Sequence, residues 1–184
     1  SSGSVIPIFR NQISNGGPVT LTDKNMTRFV MSVEEAVELV LNSIVEAKGG
    51  EVFVTKMPVM KIKDLASAMI EELSQNKVDV IEIGSKPGEK LYEELMSDEE
   101  TRRAVELDKF FSIIPAFRGI YSDINYNYSK IVSKVVKDPY ISERQASLKI
   151  DEVKGFLRYN ELLVDTNTSG QNARYWPGDK EEKL

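Results

Sequence analysis

Hydrophobic and polar positions alternate along the chain in patterns that change every ten to fifteen residues. Val5, Ile6, Phe9 and Ile13 make residues 5–13 a short amphipathic segment. Asn15-Gly16-Gly17-Pro18 is a turn signal, combining glycine freedom with a fixed proline φ. Residues 19–22 and 27–31 read as short strands. Ser32-Val33-Glu34-Glu35 then has the form of a capping box. Behind it Val33, Ala36, Val37, Val40, Leu41, Ile44 and Val45 recur at three- and four-residue steps. The pattern predicts a helix over 33–48, ended by Gly49-Gly50. A strand is expected over 51–55, a helix over 62–73 with Leu65, Ala66, Met69 and Leu73 on one face, and a half-buried strand over 78–83. Ser97-Asp98-Glu99-Glu100 opens a further short helix ending near Arg103, and 110–114 is a last strand. This order predicts an α/β arrangement with a small mixed sheet.

The character changes at Pro115. Residues 119–147 are polar and Tyr-rich, with Tyr121, Tyr126, Tyr128 and Tyr140, and predict a solvent-facing aromatic arm. Residues 151–157 are helix-like, and the Gly-, Asn- and charge-rich stretch 167–184 reads as a flexible tail. The expected division is therefore 1–114, 115–166 and 167–184.

Composition narrows the chemistry. Cys and His are both absent, which removes Cys/His zinc sites, thiol catalysis and Ser-His-Asp chemistry from these residues. The lack of Cys, with no apolar run long enough to span a membrane and no signal-peptide character at Ser1-Ser2-Gly3-Ser4, leads to a cytoplasmic expectation. Net charge is −5, from 24 basic and 29 acidic residues, which argues against nucleic acid as the partner and favours a small molecule or a protein.

Three segments carry candidate chemistry. Lys86-Pro87-Gly88-Glu89-Lys90 follows a strand, where α/β sheets place binding loops. Its lysines suit phosphate and Glu89 suits ribose hydroxyls, although on spacing alone a solvated Pro-Gly turn is the commoner use of such residues. Arg28, between apolar neighbours at a strand start, offers a planar fork for a diphosphate. An Arg whose stem packs and whose head reaches water is again commoner. Tyr126 and Lys130 have the Tyr-x-x-x-Lys spacing of a proton-transfer pair. They lie far from any cofactor motif, and that role is rejected. No Gly-rich dinucleotide fingerprint or phosphate loop occurs, so these residues are not expected to hold a dinucleotide.

Six stretches, taken in order, resemble the UDP-N-acetylglucosamine 4,6-dehydratases, including the inverting members that also epimerise C5. They are Gly3-Ser4-Val5-Ile6-Pro7-Ile8-Phe9, Met26-Thr27-Arg28-Phe29, Gly49-Gly50-Glu51-Val52-Phe53-Val54, Met60-Lys61-Ile62-Lys63-Asp64-Leu65-Ala66, Lys86-Pro87-Gly88-Glu89-Lys90-Leu91-Tyr92-Glu93-Glu94 and Glu106-Leu107-Asp108. The resemblance covers residues 3–114 and, more faintly, 148–157. It implies that 1–114 is the nucleotide-sugar-binding subdomain of an extended short-chain dehydrogenase/reductase, without the Rossmann domain. It further implies Arg28 at the UDP diphosphate, Lys86 as a basic contact, Glu89 at the ribose, and Ser4, Val5, Ile6 and Phe9 near the uracil and sugar. Lys86 stands where the family has Arg, so a bidentate fork becomes a point charge. The family reaction begins with hydride abstraction at C4 by NADP, continues with loss of water across C5–C6, and ends with hydride return to C6. The resemblance puts NADP and the catalytic residues in a parent protein upstream of Ser1 and leaves this chain none, so no turnover is expected from residues 1–184 alone. A nucleotide-sugar 4-epimerase shares the UDP contacts and remains open, as does a non-catalytic binding module. Elements built to pack on a missing domain would expose apolar surface, so a homo-oligomer is expected.

Overall fold

The computed structural model describes residues 5–85, 87–117 and 119–164. Five helices, α1 (Val5–Ser14), α2 (Val33–Glu46), α3 (Ile62–Leu73), α4 (Asp98–Thr101) and α5 (Ile150–Tyr159), are interleaved with ten short strands. The strands are β1 (Val19–Leu21), β2 (Thr27–Phe29), β3 (Val52–Thr55), β4 (Val59–Lys61), β5 (Val80–Glu82), β6 (Glu94–Met96), β7 (Ala104–Leu107), β8 (Phe110–Ile113), β9 (Ile131–Ser133) and β10 (Tyr140–Ile141). The fold is a mixed α/β one built from small sheets. One sheet has four strands in the order β3-β8-β7-β9, and the pairs β1-β5, β2-β4 and β6-β10 form two-stranded sheets. Only β1-β5 among these pairs is parallel.

Two packing layers hold these pieces. In the first, α1, α3 and α5 close over β1, burying Phe9, Ile13, Val19, Met69, Val153 and Leu157 together. Each large apolar side chain removed from water there contributes about 1.5–3 kcal/mol. The helix α3 begins and ends where its apolar spacing predicts, and Leu65, Ala66, Ala68 and Met69 are its buried face. Ion pairs from Arg158 to Glu72 and from Lys154 to Glu71 tie α5 across α3. In the second layer the four-stranded sheet has Met96, Phe111 and Tyr140 on one side and Phe53, Phe110 and Tyr128 on the other.

Three expectations need correction. The expected capping box forms at Ser32 with Glu35, and Ser97 with Glu100 makes another, each worth about 1 kcal/mol. Helix α2, however, ends at Glu46 with an extended cap at Ala47, so Gly49-Gly50 does not cap it. The glycines instead take positive φ in the turn to β3, where their missing side chains make room for Tyr121 and Ile124. The strand over 78–83 is shorter than expected, and its residues Val80–Glu82 are all exposed. The aromatic arm is not solvent-facing. Tyr128 and Tyr140 are buried, with hydroxyls bonded to Ser112 and to the Met57 backbone respectively. The expected tail over 167–184 lies outside the described residues.

The face of α2 is the opposite case. Its apolar stripe is present, yet no residue of the helix is buried. Val37, Ile44 and Val45 are 53%, 71% and 79% exposed, and Met31, Val33, Val40 and Leu41 extend the same surface.

Candidate functional site

Arg28 sits in the middle of β2, which pairs antiparallel with β4 in the register Arg28 to Met60. The pairing fixes its backbone, and the side chain leaves the strand towards the segment 87–93. One guanidinium nitrogen donates to the Thr27 carbonyl at 2.8 Å and another to the Lys90 carbonyl at 2.7 Å. Its Nε lies 3.8 Å from Glu93 Oε1. Two of five N–H donors are thus spent on carbonyls, and the side chain is a quarter exposed, leaving donor capacity towards solvent.

The segment 87–93 is stitched to β2 along its length. Thr27 N donates to the Leu91 carbonyl at 2.9 Å, and Phe29 N donates to Glu93 Oε2 at 2.8 Å. Glu89, half-buried in the loop, accepts from Thr22 Oγ1 at 3.3 Å, just beyond the end of β1. Gly88 has φ +83, so the tight turn after Pro87 uses a backbone conformation that favours glycine. Arg28 and Glu89 are therefore brought to one loop. Lys86 and Ser4 lie outside the described residues.

The other expected contacts are placed differently. Phe9 is 1% exposed and belongs to the core beside Ile13 and Met69; it packs the fold rather than facing a ligand. Val5 and Ile6 are half-buried against the same core. Gln12 carries α1 onto β1, donating to Thr20 Oγ1 at 2.7 Å and accepting from Thr20 N at 3.1 Å. Tyr126 donates to the Gly49 carbonyl at 2.6 Å, a turn-bracing role.

Sequence reasoning assigned no role to Thr22, Thr27, Glu93 or Ser142, which build the loop's support. Glu93 lay in a quoted motif without a task. Ser142 sits in a polar run with no local signal, 115 residues from its partner Thr27.

A groove of about 380 Å³ lies elsewhere, between α2 and strands β3 and β8. Its walls carry Glu35, Glu38 and Asp108 against Lys56 and Lys109, whose charges are already ion-paired with Glu106 and Glu38. With both lysines paired and a carboxylate in excess, the groove does not suit a phosphate, so the loop at Arg28 is the better candidate despite its openness. Among the described residues, no group of His, Cys, Asp or Glu could hold a metal ion, and no helix is long and apolar enough to cross a membrane.

A protein of Methanocaldococcus jannaschii described as an uncharacterised membrane protein is 49% identical over 121 residues, 62% of this chain and 36% of its own length. The UDP-glucose 4-epimerase of Rickettsia rickettsii is 38% identical over 85% of this chain and 46% of its own length. The inverting UDP-N-acetylglucosamine 4,6-dehydratase of Campylobacter jejuni is 36% identical over 76% of this chain and 41% of its own length. Among solved structures, Pen from Bacillus thuringiensis matches with a TM-score of 0.74 and 36% identity, over 88% of this chain and 46% of that one. The chain thus spans less than half the length of these relatives. The family model for polysaccharide biosynthesis proteins matches residues 1–115, and the chain belongs to that family.

Proposed function

We propose that this chain supplies the UDP-sugar contacts of a UDP-N-acetylglucosamine 4,6-dehydratase acting in surface polysaccharide or glycan biosynthesis. Arg28 takes the diphosphate and Glu89 the ribose, with Lys86 as a second basic contact. The supporting observation is the anchoring of Arg28 to the Lys90 carbonyl at the root of the loop that carries Glu89. A guanidinium held by carbonyls keeps its fork oriented without losing its charge. Ser4, Val5 and Ile6 would flank the uracil and sugar.

The reading assigns no redox step to these residues. A dinucleotide needs a Gly-rich strand-to-helix turn. Helices α2, α3, α4 and α5 are instead entered through Ser32, Lys61, Ser97 and Lys149, none within a Gly-rich turn. NADP does not fit the described residues, so its place and the acid/base chemistry belong to the longer protein that the relatives' lengths suggest. Calorimetry with UDP and UDP-N-acetylglucosamine tests the reading. Binding of both that is lost in Arg28→Ala supports it, and binding of NADP but not UDP overturns it.

A UDP-glucose 4-epimerase is the second reading, favoured by the Rickettsia relative's coverage. Product analysis of the longer protein separates the two, because only the dehydratase removes the C6 hydroxyl. Either activity fits a cytoplasmic protein. The exposed apolar stripe of α2 supports self-association, since a second copy is the partner available in a solution of this chain alone. Sedimentation should show dimers that Val37→Asp disperses, and a monomer at high concentration would exclude this part.

A further inference from the structure

Ser142 is 0% exposed and opens a 3-10 turn, Ser142–Arg144, directly after β10. Its side chain stands between the two pieces that form the candidate site. The hydroxyl lies 2.8 Å from Thr27 Oγ1 and can donate to the Thr27 carbonyl at 3.3 Å. It also accepts from Glu93 N at 2.9 Å, while Ser142 N donates to the Glu93 carbonyl at 2.9 Å. A serine hydroxyl has one proton and two lone pairs. It can donate to the Thr27 carbonyl while accepting from Glu93 N and the Thr27 hydroxyl, so this environment satisfies it completely.

Thr27 immediately precedes Arg28, and the Thr27 carbonyl is itself an acceptor for the Arg28 guanidinium. Glu93 ends the loop whose Lys90 carbonyl holds the other side of that guanidinium. One buried hydroxyl therefore ties together the strand carrying Arg28 and the loop that orients it. It does so from outside residues 1–115, the part matched by the family model.

We propose that Ser142 is a positioning residue for the nucleotide diphosphate, fixing β2 against the 87–93 loop and thereby holding the Arg28 fork in place. This rests on the nucleotide reading of Arg28. Ser142 touches no ligand in this role and acts through Thr27 and Glu93. Because the group is buried and bonded on every side, its loss leaves Glu93 N without a partner, and the loop gains freedom at its root.

The test is a double-mutant cycle in UDP affinity, measured by calorimetry on the full chain. Ser142→Ala should weaken UDP binding roughly 5- to 10-fold, the scale of one lost hydrogen bond. Arg28→Lys keeps the charge but removes the fork. In that background Ser142→Ala should add less than about a twofold further loss, because nothing is left to orient. A role confined to stability would lower the unfolding temperature and leave UDP affinity unchanged, and an effect on binding that does not pass through Arg28 would leave the two losses multiplying in full. That result, or wild-type affinity in Ser142→Ala, overturns the proposal. If Ser142→Ala does not fold, Thr27→Val removes the facing hydroxyl at nearly constant shape and is read by the same criteria. A wild-type chain that does not bind UDP sinks the nucleotide reading and this role with it. UDP binding that is weakened by Arg28→Lys but ignores Ser142→Ala and Thr27→Val sinks the role of Ser142 alone.

Discussion

At the scale of single residues, the site depends on shape more than on charge. Arg28 uses two divergent nitrogens on the Thr27 and Lys90 carbonyls, a geometry an ammonium cannot reproduce. Arg28→Lys should therefore weaken UDP at least about tenfold, given about 1.5–3 kcal/mol for a hydrogen bond to a charged group. Glu89→Gln should cost less and should narrow the preference for UDP over its 2′-deoxy analogue. Calorimetry with the two nucleotides reads both effects. A second residue reports on the core. Burial pushes the Tyr128 hydroxyl up to about 12; the Ser112 bond opposes this and the neighbouring Glu51 charge adds to it. An unfolded chain releases that proton near 10, so between the two values the folded state binds more protons. The stability this group contributes is complete below pH 10 and is lost as pH rises towards 12. Tyr128→Phe should flatten that alkaline decline. It should also cost about 1–2 kcal/mol at neutral pH by leaving the buried Ser112 hydroxyl unpaired, measurable by denaturant unfolding.

At the scale of elements, the Gly49-Gly50 turn shows how an arm can be held by a position with no side chain. A Cβ at Gly50 would meet Tyr121 ring carbons at 2.8 Å and Pro115 Cγ at 3.1 Å, and the backbone has φ +78. Gly50→Ala should destabilise by about 1–2 kcal/mol from backbone strain alone, with displacement of Tyr121 in addition. A thermal melt measures the sum. The same region shows what the sequence could reveal. Ile62, Leu65, Ala66, Met69 and Leu73 repeat for three turns, so α3 was readable to the residue. Strands β4, β6 and β7 were not anticipated because each holds at most one β-branched or aromatic residue, whereas the equally short β1, β2, β3, β5 and β8 hold two or more. In β7 the exposure does not alternate either, since Ala104, Val105 and Leu107 are all buried. The glycine pair was visible but misassigned: a helix stop and a tyrosine seat look alike until the tyrosine, some seventy residues on, is known to lie there. Arg28 and Glu89 could be picked out as candidates from their motifs. Thr27, Glu93 and Ser142 could not, because ordinary polar residues acquire a role only through distant pairing.

At the scale of the whole molecule, the described residues after Pro115 are part of the fold and not an appendage. They supply β9 to the four-stranded sheet, β10 to β6, and Val153 and Leu157, both 0% exposed, to the helical core. A truncation after Pro115, which keeps the whole family-matched stretch, should lose cooperative unfolding, because α3 is left without α5 and the 87–93 loop without its backing. Circular dichroism and a denaturant titration would check this. The bond between Thr27 and Ser142 has a further consequence for how the protein is made. It closes a loop of 115 residues, and at synthesis rates of roughly 5–20 residues per second β2 leaves the ribosome several seconds before the serine that locks it. Throughout that interval the arginine strand waits unlatched. A ribosome paused before codon 142 would carry every ligand-facing residue of the proposed site and still display no finished site.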